Sequence, residues 1–204
     1  MQPCQDGGLW NSPLRGELTG ADRGTAHHKF LQHAALDRLD SLTALQNEVE
    51  RLARAGKLAQ NEAAALDLPA LAAFWNSDLG KRIRAVEASR VCRELAFTVR
   101  LSAEDLARLN LADAAALKDE FLVAQGRIDV AVILPKEIWL LDFKTDQLTE
   151  AELEAKIEAY APQLELYALA LSRIYHPRPV TERWLHFLSL GRTVRVGGWD
   201  GAGL

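Results

Sequence analysis

The chain has 204 residues, of which 49% are hydrophobic, and this suits one compact domain with a sizeable core. Its 24 basic and 28 acidic residues give a net charge of −4, which is unlike a free-standing DNA-binding module whose basic surface supplies its affinity. The sequence has no run of 18 apolar residues and no basic-then-apolar start. We therefore expect no membrane span and no signal peptide, and a cytoplasmic location.

The pattern of apolar residues and helix breakers predicts an α/β chain with a helical N-terminal region. Residues 1–20 are rich in glycine, proline, asparagine and serine and predict a flexible tether or tail, and residues 197–204 predict a loose C-terminal tail. A single domain is expected between them, at 21–196. Its helices are predicted at 22–39, 41–67, 69–88, 103–110 and 150–175, with breaks at Gly56 and Pro69, and its strands at 91–100, 121–134, 138–144, 183–190 and 192–196, the last two joined around Gly191.

The most informative segment is 126–145, where alternating apolar residues predict two antiparallel strands joined at Pro135 and Lys136. A loop symmetric about these residues, with two residues or four, places Asp129 directly opposite Asp142, with their β-carbons about 5 Å apart. Because proline cannot adopt the positive φ of the tightest primed turns, the four-residue loop is favoured. The buried faces are predicted to hold Ile128, Val130, Val132 and Leu134 on the first strand and Trp139, Leu141 and Phe143 on the second.

Two carboxylates that face each other repel, and one pKa rises unless a cation lies between them. Lys144 lies two residues beyond Asp142, so its ammonium group reaches the same face and can hold or polarise a water beside a metal. The alternative is a solvated strand face on which Lys144 forms a surface ion pair. The rest of that face is apolar, which favours a metal site in a cleft at one end of a sheet that is covered on both faces. These apolar residues are Ala131, Ile133, Ile138 and Leu140.

Five motifs occur in order along the chain: Arg23-Gly24-Thr25-Ala26-His27-His28, Glu94-Leu95-Ala96-Phe97, Gly126-Arg127-Ile128-Asp129, Asp142-Phe143-Lys144-Thr145, and the helical residues Tyr160, Gln163 and Tyr167. Together they resemble the PD-(D/E)xK nuclease superfamily, and within it the RecB-type nuclease domain that ends AddA and RecB helicase-nucleases. The resemblance covers nearly the whole chain and is closer to AddA because of the first motif. It implies a restriction-endonuclease-like fold, with a mixed central sheet flanked by helices.

The resemblance also implies the metal ligands and the catalytic lysine. It makes His28, Asp129, Asp142 and the backbone carbonyl of Phe143 the metal ligands, with both aspartates and Lys144 catalytic. His27 is the weaker candidate, because adjacent helical residues point about 100° apart and cannot both face one ion comfortably. Without the downstream motifs, His28 would be interpreted as a capped, partly buried histidine near a helix start.

Glu94 and one face of the last long helix complete the predicted site. Glu94 lies in a half-buried strand, and the resemblance places an acid here at the edge of the site, behind the ligands. The aromatic stripe of Tyr160, Gln163 and Tyr167 is typical of a core, whereas in the family the Gln and Tyr face the cleft. Core packing and substrate contact both stay open, with Gln163 and Tyr167 as catalytic candidates and Tyr160 behind the ligands. Pro162 is expected in the first turn of this helix.

Basic residues that precede Glu94 are the candidate DNA contacts. Lys81, Arg82 and Arg84, together with Arg90 and Arg93, could grip phosphates that lead to the metal. The alternatives are a solvated helix face and an interface with a partner protein.

The resemblance implies Mg²⁺, or Mn²⁺ in vitro, and imidazole with carboxylate ligation suits either ion. Cys4 and Cys92 are the only cysteines, too few for an iron-sulfur cluster with four thiolate ligands, so none is expected. No Gly-x-x-x-x-Gly-Lys-Ser/Thr sequence is present, so the chain has no motor of its own. We expect an excised C-terminal domain or the product of a split or truncated gene, with DNA and a helicase motor as partners.

Two functions are consistent with these residues. The first is a divalent-metal-dependent DNA nuclease, an exonuclease by resemblance, that serves as the nuclease domain of a helicase-nuclease in double-strand break repair and recombination. The second is a non-catalytic docking or DNA-binding module that keeps the nuclease fold inside a helicase complex. Every motif position is filled, which favours the enzyme, whereas the acidic charge balance keeps the second function open.

Overall fold

The computed structural model describes residues 19–109 and 121–197, which form a five-stranded mixed sheet with helices on both faces. Both predicted tails, apart from a few residues at their inner ends, and residue 110 of the predicted short helix lie outside the described residues. Within the described ranges, none of the helices has both the length and the apolar character that a membrane crossing requires.

The helices are α1 (Gly20–His33), α2 (Leu42–Arg54), α3 (Gln60–Ala64), α4 (Leu68–Asn76), α5 (Asp78–Ala85), α6 (Ala103–Arg108) and α7 (Leu153–Ile174), with short 3₁₀ turns at Leu36–Arg38, Ala88–Arg90 and Glu150–Glu152. The strands are β1 (Val91–Ser102), β2 (Phe121–Ile133), β3 (Ile138–Lys144), β4 (Val180–Phe187) and β5 (Arg192–Arg195).

The strands lie in the order β1-β2-β3-β4-β5, and only the β3–β4 pair is parallel. α7 supplies the crossover that a parallel pair requires. β2 and β3 pair in the predicted register, from Val130 opposite Leu141 to Ile133 opposite Ile138, and the loop between them is 134–137, as predicted. The predicted fold class is confirmed.

Helices cover the sheet on both sides, which confirms a further prediction. The face that packs against α1, α2, α4 and α5 is called the α1 face, and the face that packs against α6 and α7 is called the α7 face. The α1 face holds Val130, Val132, Leu141 and Phe143, and the α7 face holds Ala131, Ile138, Leu140 and Leu185.

Strand alternation breaks at one point on β2. Val130 packs on the α1 face, but Ile128 packs on the α7 face, so the prediction that Ile128 shares a face with Val130 and Val132 is wrong. The neighbouring strand is irregular at the same level, where Glu94 has a φ of 49°, a conformation rare for residues other than glycine. The β1–β2 register is the same on either side of the break, so Glu94 and Asp129 stand opposite each other there.

α1 ends at His33, six residues before the predicted end of the helix at residue 39. The reason is a long-range contact that a local pattern does not reveal. The guanidinium of Arg93 on β1 donates to the carbonyl oxygens of Leu31, at 3.0 Å, and Ala34, and so satisfies acceptors at the helix end.

The region predicted as two long helices forms four shorter ones, α2 to α5. Gly56, with a φ of 67°, follows α2 as predicted, but Pro69 lies in the first turn of α4 rather than between helices. The missed break is at Ser77, which ends α4 and whose hydroxyl accepts the Gly80 N–H at 3.2 Å to begin α5.

Two later boundaries also differ from the prediction. Pro162 lies inside α7 rather than in its first turn; it is exposed, as is Glu158, so water can satisfy the carbonyl that loses its helical partner. β4 begins at Val180 rather than at residue 183, because its parallel pairing with β3 starts there, opposite Ile138. Gly191, with a φ of 62°, forms the predicted turn before β5.

Gly80→Ala is expected to lower the free energy of unfolding by roughly 1–3 kcal/mol, because a β-carbon at this position would collide with the backbone carbonyl of Phe74. Gly20→Ala is the matched control, since a β-carbon there would meet no atom within 4 Å. Urea unfolding of both variants measures the difference. Equal stability of the two variants would contradict the tight α4–α5 contact.

Candidate metal centre

The candidate site lies where β2 and β3 separate, a point we call the fork. Their ladder ends at Val130 and Leu141, and the next pair in this register is Asp129 and Asp142. The Phe143 N–H, which would continue the ladder, donates instead to Asp129 Oδ2 at 2.7 Å. The Asp129 side chain thus occupies the place of the facing backbone carbonyl.

His28 reaches the fork from the α1 face. Its Nδ1 lies 3.1 Å from Asp129 Oδ1 and 3.3 Å from Glu94 Oε1. Burial by itself lowers a histidine pKa, but the hydrogen bonds and charges of the two carboxylates outweigh it and raise the pKa of His28 to about 10. In this arrangement His28 is an imidazolium held between two carboxylates.

α1 can approach the fork because Gly24 has no side chain. A β-carbon at Gly24 would lie 2.8 Å from the hydroxyl oxygen of Thr145, just beyond the end of β3. His28 stands one turn after Gly24 on the same side of the helix. The glycine of the first motif and the threonine of the fourth therefore meet, which gives both residues a physical role.

His28, Glu94 and Asp129 form a group that suits a divalent cation. One ligand atom from each, a nitrogen and two carboxylate oxygens, lies within 4.8 Å of the others. A mixed imidazole and carboxylate set fits Mg²⁺ or Mn²⁺. The resemblance implied that Glu94 stands behind the ligands, whereas the structure places its carboxylate beside theirs.

Asp142 and Lys144 complete the fork, and Lys144 extends to α7. Lys144 Nζ lies 2.7 Å from Asp142 Oδ2 and donates to Gln163 Oε1 at 2.7 Å. Burial, and next the charge of Asp129, raise the pKa of Asp142 to about 6, in the predicted direction. Asp142 Oδ2 is buried, and the Lys144 ammonium is its close charged neighbour. A carboxylate has several lone pairs, so Asp142 can pair with Lys144 and still offer one to an ion.

The candidate residues on α7 surround Lys144. Gln163 Nε2 donates to the Tyr167 hydroxyl at 2.7 Å, and Tyr167 is buried edge-to-face against Phe97. The Lys144 ammonium lies 3.9 Å from the centre of the Tyr160 ring. Tyr167 is thus part of the core, and Gln163 holds the lysine; catalytic roles for both stay predictions.

His27 lies outside the site. Its Nδ1 donates to the Arg23 carbonyl at 2.7 Å, and its Nε2 accepts the Asp67 N–H at 2.9 Å, which ties α1 to the start of α4. With both nitrogens used, His27 has none left for a metal.

The basic residues predicted to contact DNA lie away from the fork. Arg82 pairs with Glu182 at 2.7 Å and lies 4.3 Å from the centre of the Trp139 ring, at the opposite end of β3 from Asp142. Arg84 donates to a backbone carbonyl of α4, and Lys81 is exposed. Contact between these residues and DNA stays a prediction.

Comparison with known proteins points to one family. A family model described as the PD-(D/E)XK nuclease superfamily matches residues 6–196. The chain is 34% identical over 189 residues to one of the subunits of the ATP-dependent helicase/nuclease of Bacillus mycoides strain KBAB4, in an alignment that covers 88% of this chain and 14% of that protein. It is 33% identical to proteins of the same name from Bacillus cereus strain AH820 and Bacillus anthracis, with the same shares. The chain thus spans a small part of these relatives, and the predicted resemblance is confirmed.

Mn²⁺ at about 100 times its Kd is expected to raise the free energy of unfolding by about 2.7 kcal/mol, because the ion binds the assembled fork and not the unfolded chain. Asp129→Ala should abolish this gain, whereas replacement of the exposed Asp40 by alanine should leave it unchanged. Urea titrations with and without the ion measure the difference. A similar gain in Asp129→Ala would place the ion elsewhere.

Affinity for the ion is expected to rise with pH, by about tenfold per unit between pH 7 and 9, because His28, with a pKa of about 10, must lose its proton to bind the ion. Calorimetry in buffers that differ in ionisation enthalpy should detect the release of about one proton per ion. His28→Asn should bind more weakly and release none. A pH-independent affinity of the wild-type protein would contradict ligation by His28.

Proposed function

Because the chain belongs to the PD-(D/E)XK nuclease superfamily, we propose that it is a divalent-metal-dependent deoxyribonuclease that hydrolyses phosphodiester bonds at the fork. The observation that carries the proposal is the convergence of His28, Glu94 and Asp129 on one point, beside the buried carboxylate of Asp142 and its ion pair with Lys144. His28 and Lys144 pair with these carboxylates in the structure, and a bound cation would balance them once His28 has lost its proton.

The donor set fits the group that the family implies. His28, Glu94, Asp129 and Asp142 would hold Mg²⁺ or Mn²⁺, together with the carbonyl of Phe143. When bound, such an ion neutralises charge on the scissile phosphate and lowers the pKa of a coordinated water. The remaining chemistry belongs to the side chains around it.

Lys144 positions the attacking water. Its ammonium is held between Asp142 and Gln163, with the ring of Tyr160 below it, so it has little freedom to move. The water oxygen bonds to phosphorus as the bond from phosphorus to the 3′ oxygen breaks, and that oxygen takes up a proton. The products are a 5′-phosphate and a 3′-hydroxyl.

The same proposal extends to biological context. We place the chain as the nuclease domain of a helicase-nuclease that processes DNA ends in double-strand break repair, with a helicase motor in the same full-length protein or in a separate partner protein. The support is the name of the relatives, which are subunits of an ATP-dependent helicase/nuclease, and the 14% of their length that the chain matches.

Asp142→Ala and Lys144→Ala are each expected to reduce cleavage by about a hundredfold or more, because one removes a ligand and the other removes the group that positions the water. The assay uses end-labelled linear single- and double-stranded DNA and circular single-stranded DNA, with Mg²⁺, Mn²⁺ or EDTA. Cleavage of the circle separates endonuclease from exonuclease activity.

The exposed residues Asp40 and Lys57 provide the matched controls, and their alanine variants should cut at the wild-type rate. Cleavage by Asp142→Ala at the wild-type rate would reject the assignment. If the wild-type protein binds Mn²⁺ but cuts nothing, the chain needs its helicase partner; if it does neither, it is a non-catalytic module.

Gln163→Ala is expected to lower kcat by about tenfold and leave KM nearly unchanged, because it releases the Lys144 ammonium without touching the ion. The exposed Gln46 offers a control substitution of the same kind. Steady-state kinetics together with Mn²⁺ calorimetry test this. A lost ion affinity in Gln163→Ala would show that the residue acts on the metal site rather than on the lysine.

A further inference from the structure

β1 and β2 extend beyond the rest of the sheet as a two-stranded ribbon, residues 94–102 and 121–129. β2 pairs with β3 only from Val130 to Ile133, but it pairs with β1 as far as Phe121 opposite Ser102. One side of the ribbon is buried against α6 and α7 through Phe97, Val99, Leu101 and Ile128. The other side, which we call the outer face, is exposed along its length and carries Ala96, Thr98, Arg100, Ser102, Phe121, Val123, Gln125 and Arg127.

Three cross-strand contacts show that these side chains share one face. Arg127 Nη1 lies 3.8 Å from Glu94 Oε2, and the Gln125 amide donates to the Thr98 hydroxyl at 3.1 Å. Further out, the guanidinium of Arg100 lies 4.1 Å from the centre of the Phe121 ring. The outer face therefore begins at the metal centre and continues to the end of the ribbon, over about 26 Å.

The chemistry of the outer face suits a nucleic acid backbone and its bases. Arg100 and Arg127 can contact phosphates, and the amide and hydroxyl between them can donate hydrogen bonds. Phe121 is 55% exposed and its ring centre lies 4.1 Å from the Arg100 guanidinium, so the pair offers an exposed surface on which a base can stack. Among the described residues of this face beyond Glu94, none is acidic, in a chain whose net charge is −4.

The shape of the ribbon favours one strand over a duplex. A two-stranded ribbon can enter a major groove, but here the opposite side is covered by α6 and α7 and cannot do so. The two strands are about 4.8 Å apart, which gives a surface wide enough for one extended strand. A length of about 26 Å corresponds to about eight nucleotides at a stacked rise of 3.4 Å per nucleotide.

We infer that the outer face of the ribbon binds a single nucleic acid strand and leads it into the fork. The inference rests on the proposed function, because it names the form of the substrate and the path by which it reaches the same site. It assigns Arg100, Phe121 and Arg127 to strand binding, a role distinct from that of the metal ligands and Lys144.

The test measures binding of a labelled 20-nucleotide single strand by fluorescence anisotropy, in EDTA and in an Asp142→Ala background so that nothing is cut. Phe121→Ala and Arg100→Ala should each raise Kd roughly tenfold, and Arg100→Ala should make the dependence of log K on log salt shallower by about 0.7. A duplex of the same sequence should bind more weakly and respond little to either change.

Matched controls are Leu42→Ala, which removes another exposed large apolar side chain, and Arg54→Ala, which removes another exposed arginine on α2. Both should bind the strand with wild-type Kd. Thermal unfolding of all four variants identifies any that has lost its fold, and Arg100→Glu provides a second test at the same position.

The proposed nuclease function and the proposed strand binding by the outer face can be rejected independently of each other. If Kd and salt dependence are unchanged in Phe121→Ala and Arg100→Ala, the strand does not use the ribbon, even where the wild-type protein cuts DNA; the exposed apolar residues at 121–123 would then serve a protein interface. If the variants lose strand binding but the wild-type protein neither binds Mn²⁺ nor cuts DNA with either ion, the strand path stands and the nuclease assignment falls.

Discussion

The hydrogen bond from the Phe143 N–H to the Asp129 carboxylate is the contact on which the rest of the site depends. This bond uses the N–H group that would have continued the β2–β3 ladder, so the two strands separate here. It involves only Oδ2 of Asp129, and Oδ1 remains available to other groups. One carboxylate thus ends a sheet pairing, fixes its own orientation and faces His28. Without that capture the ladder would extend, and the two aspartates would lie on a paired strand with no cleft between them.

Glu94 makes a second departure from regular structure at the same level of the sheet. Its left-handed backbone is a conformation that costs free energy in a residue with a side chain, and such strain persists only where the surroundings enforce it. Here the change in side-chain alternation at Glu94 brings its carboxylate beside Asp129 and His28. Beyond this change in alternation, the ribbon has its apolar side chains against α7 and its polar side chains outward. The candidate metal centre and the outer face therefore meet at one local distortion of the sheet.

Sequence reasoning predicted the parts of this protein that local pattern decides. The β2–β3 register followed from the symmetry of a loop around Pro135, and the approach of Asp129 and Asp142 followed from that register. The features it missed depend on contacts distant in sequence. Arg93 satisfies the carbonyl groups at the end of α1, and the side-chain alternation changes near Glu94, so that Ile128 lies on the α7 face. The position of Glu94 beside His28 was within reach, because an acid paired opposite Asp129 is visible once β1 is aligned with β2. The contacts across the ribbon could not be predicted, because they depend on which side of the ribbon packs against α7.

The capping of α1 by Arg93 also sets an order of assembly. The Phe143–Asp129 bond joins residues 14 apart in sequence, whereas the Arg93–Leu31 bond joins residues 62 apart. Short loops close sooner than long ones, so we expect the hairpin that carries both aspartates and Lys144 to form before the helix that carries His28 is held against β1. The candidate group of His28, Glu94 and Asp129 is therefore complete only when the N-terminal helix and the central strands have met.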